Sequence, residues 1–406
     1  MSENCRLKFF FIFLFIILLI GESPLAQTIL QHERLKYSGD IRTGADQMEA
    51  YLPLLKGKRV SIVANQTSRI ASVHLVDTLM SSGVTIQCVF APEHGFRGEQ
   101  GAGEKIKGGI DPQTGLQVIS LYGKHLKPTK QDLAATDLVI FDIQDVGARF
   151  YTYIATLQYV MEACAEQKKE VLVLDRPNPN GFYIDGPVLD TVYRSFVGMN
   201  PIPVVHGMTV GEYAGMLNGQ RWLKGKRVCK LKVIPVKGYT HKDLYQLPVR
   251  PSPNLPNMTA VYLYPSLCLF EGTKVSLGRG TDSPFQMIGY PGFTEGDIEF
   301  KPVNIPGVAM NPPYTDTLCQ GIDLRLAMKD SIPGRLELGW LLRMYQQYPE
   351  KKAFFQPFFD KLSGTDRLRK SIQKETDELT IRESWRKALD KFREIRKKYL
   401  LYEDFE

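Results

Sequence analysis

The 406 residues are 43% hydrophobic and 23% charged, the balance of a folded soluble body of roughly two to three domains. That excludes a disordered tract, a collagen-like repeat and a polytopic membrane protein. Lysine and arginine exceed aspartate and glutamate by 51 to 44, a net +7, but the excess is spread along the chain instead of forming arms, which favours anionic small ligands or surfaces over nucleic acid.

The first residues differ from the rest. Arg6 and Lys8 precede an unbroken apolar run, Phe9 to Ile20, followed by Gly21-Glu22-Ser23-Pro24-Leu25-Ala26-Gln27. The run is short of the roughly 20 residues that cross a bilayer as a helix, and Ala26 suits cleavage. Residues 1–26 therefore read as a secretory signal peptide and 27–50 as a lead-in. Cys5 would leave with the leader. The other five cysteines, Cys88, Cys164, Cys229, Cys268 and Cys319, are odd in number, widely spaced and without a CxxC pair, so they read as core residues rather than a disulfide framework or a zinc site. The expected location is the periplasm or the outer cell surface, with no integral membrane contact after cleavage.

Lys58 to Asn65 is a β-branched run with a polar tail, and helical spacing follows over Val73 to Met80. The pattern returns at Thr85 to Phe90, Gln117 to Leu121, Asp137 to Phe141 and Val171 to Leu174, with a helix-like stretch from Tyr151 to Gln167. Apolar strands interleaved with helices predict an α/β domain over 51–230, built on a parallel sheet covered on both faces. Ligands of such sheets bind beyond the carboxyl ends of the strands. The tails that follow these strands are unusually polar and would share one rim: Asn65-Gln66-Thr67-Ser68, Glu93-His94-Gly95-Phe96-Arg97, Tyr122-Gly123, Asp142-Ile143-Gln144-Asp145-Val146-Gly147-Ala148-Arg149, and Asp175-Arg176-Pro177-Asn178. From about Leu231 the texture turns to short strands and proline-bearing loops, so 231–406 is expected to form a second domain. Its last part, from Ile332 to Leu401, reads as mostly helical, with Trp385, Leu389, Phe392 and Ile395 on one stripe and a cationic solvated face.

Glu93 sits after a strand and a proline, where partial desolvation suits a carboxyl to general-acid work; a cap or a pair with Arg97 is the plainer reading. Asp142 and Asp145 could divide acid and base roles, or one could cap the helix that follows. Arg176 could fork onto a carboxylate ligand or pair internally. His206 could face a cleft or lie in the core. Thr209 and Glu212 have capping-box spacing, which makes Glu212 structural. Glu271 and Arg279 lie on glycine-bearing loops suited to closing over a ligand, and Glu271 is the leading second carboxyl. No phosphate loop, GxSxG elbow or HExxH helix is present. Glu93, His94 and Asp142 are a poor metal set, because adjacent residues point apart on an extended chain, so no metal is expected.

The loops Asn65-Gln66-Thr67-Ser68, Pro92-Glu93-His94-Gly95-Phe96-Arg97-Gly98, Phe141 through Tyr151, Asp175-Arg176-Pro177-Asn178-Pro179, His206-Gly207-Met208-Thr209, Pro251-Ser252-Pro253-Asn254 and Phe270-Glu271-Gly272-Thr273 together resemble the NamZ-type exo-β-N-acetylmuramidases, over nearly the whole chain from about Leu52. The resemblance implies a Rossmann-like domain plus a smaller auxiliary α/β domain with C-terminal helices, and an active site in the cleft between them. It implies release of N-acetylmuramic acid from non-reducing ends of peptidoglycan fragments, with Glu93 as the catalytic glutamate and no cofactor. Substrate contacts are expected from Asn65, His94, Arg149, Tyr151, Arg176, Asn178, His206 and Arg279, the three arginines being candidates for the lactyl carboxylate of muramic acid. Asp142, Asp145 and Glu271 are candidates for the second catalytic group, acting directly or by orienting the sugar's 2-acetamido group. The rival reading is a non-catalytic periplasmic binding protein for muropeptides or wall sugars, since two α/β domains around a cleft also make a clamp.

Overall fold

The computed structural model describes residues 41–98, 108–328, 332 and 334–406, and the backbone of the strand Lys36–Tyr37. The expected leader, with Cys5 and Ala26, lies outside the described residues.

Seven strands form the main sheet: β1 (Arg59–Ala64), β2 (Thr85–Ala91), β3 (Gly109–Ile110), β4 (Gln117–Ser120), β5 (Leu138–Asp142), β6 (Glu170–Leu174) and β7 (Lys230–Ile234), in the order β7-β6-β5-β1-β2-β4-β3. Every neighbouring pair is parallel except β3 with β4. The chain winds outward from β1 through β2 and β4, then restarts on the other side at β5. This is Rossmann-like doubly wound order, with its switch point between β1 and β5.

Register explains why the strands read as continuous apolar runs. Phe90, Val63, Phe141 and Val173 stand in one row across β2, β1, β5 and β6, and Val89, Ile62, Ile140 and Leu172 in the row beside it. Adjacent rows point to opposite faces, and the two rows belong to two separate buried cores. On one face α1 (Met48–Leu55) and α2 (Leu75–Ser81) cover the sheet with Tyr51, Leu55, Leu75 and Leu79. On the other, α3 (Tyr153–Glu166) and α4 (Val210–Gly219) contribute Leu157, Met161, Tyr213 and Leu217. The change of texture expected at Leu231 falls inside β7. That edge strand exposes Lys230 and Lys232 alternately with its buried side, which is why it lacks the signature of its neighbours.

The second part begins with α5 (Met258–Leu267) and carries an antiparallel sheet of β8 (Met287–Tyr290), β9 (Ile298–Phe300) and β10 (Cys319–Asp323), ordered β8-β10-β9. Four helices follow, α6 (Gly339–Gln347), α7 (Phe359–Ser363), α8 (Arg367–Gln373) and α9 (Glu378–Arg396). On α9, Ile381, Trp385, Leu389 and Phe392 form the buried stripe, at the spacing of one helical face. They join the same continuous apolar cluster as α3 and α4, so the two parts share a core. All five described cysteines are buried free thiols.

The chain after α9 returns to the first part. The guanidinium of Arg396, completely buried, donates to the Gly207 carbonyl at 2.9 and 2.7 Å and to Asp404 at 2.6 Å. Leu401 N–H donates to Glu212 at 2.9 Å, and the Tyr402 hydroxyl donates to Asp175 Oδ2 at 2.6 Å. Glu212 also closes the capping box with Thr209, as its spacing predicts.

Candidate functional site

β2 ends at Ala91, beside the switch point, and the chain turns at once. Gly95 N–H closes the turn onto the Pro92 carbonyl at 3.0 Å, with φ of 71° at His94 and 80° at Gly95. A histidine in the left-handed region is the kind of strained backbone that gathers at functional sites. The turn leaves Glu93 half-buried at the rim.

One hydroxyl bonds the Glu93 carboxylate and a second lies beside it. Thr152 stands just before α3 in helical conformation and makes no capping bond; its hydroxyl instead donates to Glu93 Oε2 at 2.7 Å. Tyr122, two residues beyond β4, lies beside Glu93, and burial followed by the charge of Glu93 pushes the Tyr122 hydroxyl well above its ordinary value.

These groups open into a cavity of about 380 Å³, within the ordinary range for small-molecule sites. The first part contributes Glu93, His94, Tyr122, Tyr151, Thr152, Tyr153, Ser252 and Asn254; the second contributes Tyr264, Glu271, Arg279, Phe285 and the loop 308–313. The two parts are stitched at the rim by Asn254, whose side-chain amide donates to the Val308 carbonyl at 2.7 Å.

Among the described residues, Glu93 and Glu271 are the two carboxylates on the cavity wall. Glu271 lies in the tight turn Cys268–Gly272 that follows α5, and Arg279 donates to its Oε1 through Nε at 2.8 Å and through Nη2. Burial alone would lower the Arg279 pKa, but the Glu271 charge and hydrogen bonds more than offset it. The guanidinium also lies 4.9 Å above the Phe285 ring. Glycines on both sides aim this arginine. Gly278 and Gly280 have φ of 77° and 81°, and a Cβ on Gly280 would meet the Val303 carbonyl oxygen at 2.5 Å.

Of the residues singled out in the sequence, Glu93, His94, Tyr151, Glu271 and Arg279 line the cavity. The other seven are not among its lining residues, and each has a structural role instead. Asp142 and Arg176 form a buried two-bond pair, at 2.6 and 2.9 Å, so the internal reading of Arg176 holds and Asp142 is occupied. Asp145 is buried behind Tyr151, its Oδ1 accepting from Gly147 N–H at 2.7 Å, and burial pushes its carboxyl up to about 7. Arg149, 1% exposed, spends its donors on the Pro187, Ile202 and Leu362 carbonyls, each at 2.8 Å. Burial lowers its pKa to about 9. Asn65 makes a local turn by accepting from Thr67 N–H at 2.9 Å. Asn178 donates to the Met208 carbonyl at 2.9 Å. His206 is a core histidine, 1% exposed, whose Nδ1 accepts from Met208 N–H and whose pKa burial lowers to about 3.

Sequence reasoning placed Tyr122 on the rim without giving it a role, and passed over Thr152, Phe196 and the loop 308–313. Thr152 stands in a helix-capping position and Tyr122 in a short glycine turn, both ordinary in sequence; their meaning appears only when the sheet brings them to Glu93.

Comparison with known proteins shows the family and the fold. The family described as Exo-beta-N-acetylmuramidase NamZ matches in two parts, its N-terminal part over residues 60–259 and its C-terminal part over 262–402. The chain is 39% identical over 382 residues to the peptidoglycan beta-N-acetylmuramidase NamZ of Bacillus subtilis (strain 168), covering 89% of this chain and 91% of the relative. Two crystal structures of DUF1343 family proteins from Bacteroides fragilis NCTC 9343 share the fold. One has a TM-score of 0.82 at 47% identity, covering 90% of this chain and 100% of that one. The other has 0.77 at 30% identity, covering 89% and 99%.

Proposed function

This chain belongs to the exo-β-N-acetylmuramidase NamZ family, and we propose that the cavity between its two parts is the active site, with Glu93 as the general acid. The protein is an exo-acting glycoside hydrolase of peptidoglycan-derived saccharides. The observation that carries the site assignment is the Glu93 carboxyl itself, bonded by the Thr152 hydroxyl on the wall of a cavity that Glu271 also lines.

In this reading Glu93 gives its proton to the glycosidic oxygen as the bond to the anomeric carbon breaks. Glu271, held by Arg279, faces the positive charge that develops on the sugar ring, and a water then adds to the anomeric carbon and returns its proton to Glu93. The Thr152 hydroxyl engages Oε2 and so orients the carboxyl that protonates the leaving oxygen. Of the three candidate arginines Arg279 lines the cavity, and the lactyl carboxylate of muramic acid is assigned to it.

Export is part of the same proposal: the basic residues and apolar run before Ala26 suit a cleaved leader, and wall glycan lies outside the cytoplasmic membrane. The test is turnover of a chromogenic β-N-acetylmuraminide. Glu93→Gln is expected to lose activity by 100-fold or more, on the order of what general-acid groups contribute, while binding of muramic acid in calorimetry persists. Full activity in that variant removes Glu93 from the role. Binding without turnover in the wild type favours the clamp reading over the enzyme.

A further inference from the structure

Three aromatic rings run from the catalytic carboxyl to the surface. Tyr122 lines the cavity beside Glu93; its ring centroid is 6.2 Å from that of Phe196, and Phe196 stacks on Tyr159 at 6.4 Å with 18° between planes. All three are half-exposed. Tyr122 and Phe196 line the cavity and Tyr159 is not on its lining, so the strip crosses the mouth.

The strip is built, not incidental. Ser195 and Gly198 exchange backbone hydrogen bonds at 2.9 and 3.0 Å, making a two-residue hairpin whose tip is Phe196 and Val197. Hairpin tips ordinarily carry Gly, Asn or Asp; here two apolar side chains occupy the tip and turn into the cavity. Gly198 packs against Arg149 and Leu189, which fixes the hairpin from behind. Tyr159 lies seven residues after Thr152 on α3, hence on the same helix face and about 10 Å further along, the span of a short saccharide. Lys127 and Glu162, ion-paired at 3.5 Å, flank it.

Resting on the hydrolase reading above, we propose that Tyr122, Phe196 and Tyr159 form leaving-side subsites that hold the N-acetylhexosamine residues released from the scissile bond. Glu271 and Arg279 lie on the wall contributed by the second part, which takes the terminal muramic acid, and the departing glycan leaves past Glu93 over the rings. Pyranose C–H faces pack on aromatic faces, and the charged rim offers partners to ring hydroxyls and acetamides.

Three substrates with the same terminal sugar test this: methyl β-N-acetylmuraminide, the disaccharide with one N-acetylglucosamine on the leaving side, and the tetrasaccharide. Phe196→Ala is expected to lower the ratio of disaccharide to methyl-glycoside kcat/KM about tenfold, the effect of losing one aromatic contact, with Phe196→Tyr restoring it. Tyr159→Ala is expected to lower the ratio of tetrasaccharide to disaccharide by a similar factor. Unchanged ratios in both variants overturn the subsites, and a fall confined to Phe196→Ala removes Tyr159 from them. If the wild-type enzyme turns over none of the three, the hydrolase reading fails instead.

Discussion

The Thr152 hydroxyl donates to Glu93 Oε2 across 2.7 Å, from the position before α3 where a threonine would ordinarily cap its own helix. The helix forgoes a capping bond and the carboxyl gains a fixed orientation. Thr152→Val, which keeps the shape and removes the donor, is expected to lower kcat by about 10-fold to 100-fold, the worth of a hydrogen bond to a charged group. Thr152→Ser should restore most of it. The loss should be larger for a sugar leaving group than for nitrophenol, because the better leaving group needs less proton assistance; equal losses on both would deny Thr152 a part in acid catalysis.

Glu271 and Arg279 act as a unit. Glu271→Gln is expected to lower kcat at least about 100-fold with a small change in KM, since the lost charge matters most at the transition state. Arg279→Lys should raise KM more than it lowers kcat, because a lysine keeps the charge but not the planar fork. Steady-state kinetics on a chromogenic muraminide separate the two; identical kcat and KM in Glu271→Gln and the wild type would exclude that carboxylate from the chemistry.

The Asp142–Arg176 pair is a stability element beneath the site. Removing the carboxylate in Asp142→Ala leaves a buried, uncompensated guanidinium, a change that costs roughly 3–5 kcal/mol. Thermal unfolding should show a lowered midpoint. The double variant Asp142→Leu with Arg176→Met should recover much of the loss, as apolar replacements of buried pairs do; a further drop in the double variant would show that the pair does more than satisfy its own charges.

Asp145 sets a pH signature. Its folded pKa is raised to about 7 by burial, against an unfolded value of about 3.9. A raised folded value means its contribution to stability is fully present below about pH 4 and is lost as pH rises through 7. Asp145→Asn keeps the acceptor for Gly147 N–H and removes the titration. Its melting temperature should exceed that of the wild type at pH 8, and the difference should shrink toward pH 5. Melting curves with a constant offset across that range would mean the carboxyl does not titrate there.

The sheet was legible because its strands are buried on both faces: Ile62 with Val63 and Ile140 with Phe141 leave no polar alternation to confuse with a helix. The polar loop ends were also legible, and Glu93, His94, Tyr151, Glu271 and Arg279 do meet at one cavity. Asp142, Arg149 and Arg176 misled for a physical reason. A charged residue after a strand looks the same in sequence whether it faces solvent, a ligand or a buried partner, and here the partners lie far away in the chain: Arg176 34 residues from Asp142, and Leu362 213 residues from Arg149. The edge strand β7 was missed as a member of the first sheet because half of its side chains face water.

The latch made by residues 396–402 bears on when the molecule can mature. Gly207 and Glu212 wait 189 residues for Arg396 and Leu401, and Asp175 waits 227 for Tyr402. Until that stretch has emerged from the ribosome, the Asp175 carboxylate and the Gly207 carbonyl at the heart of the first part lack their final donors. A chain so arranged completes its first part only when its last residues arrive.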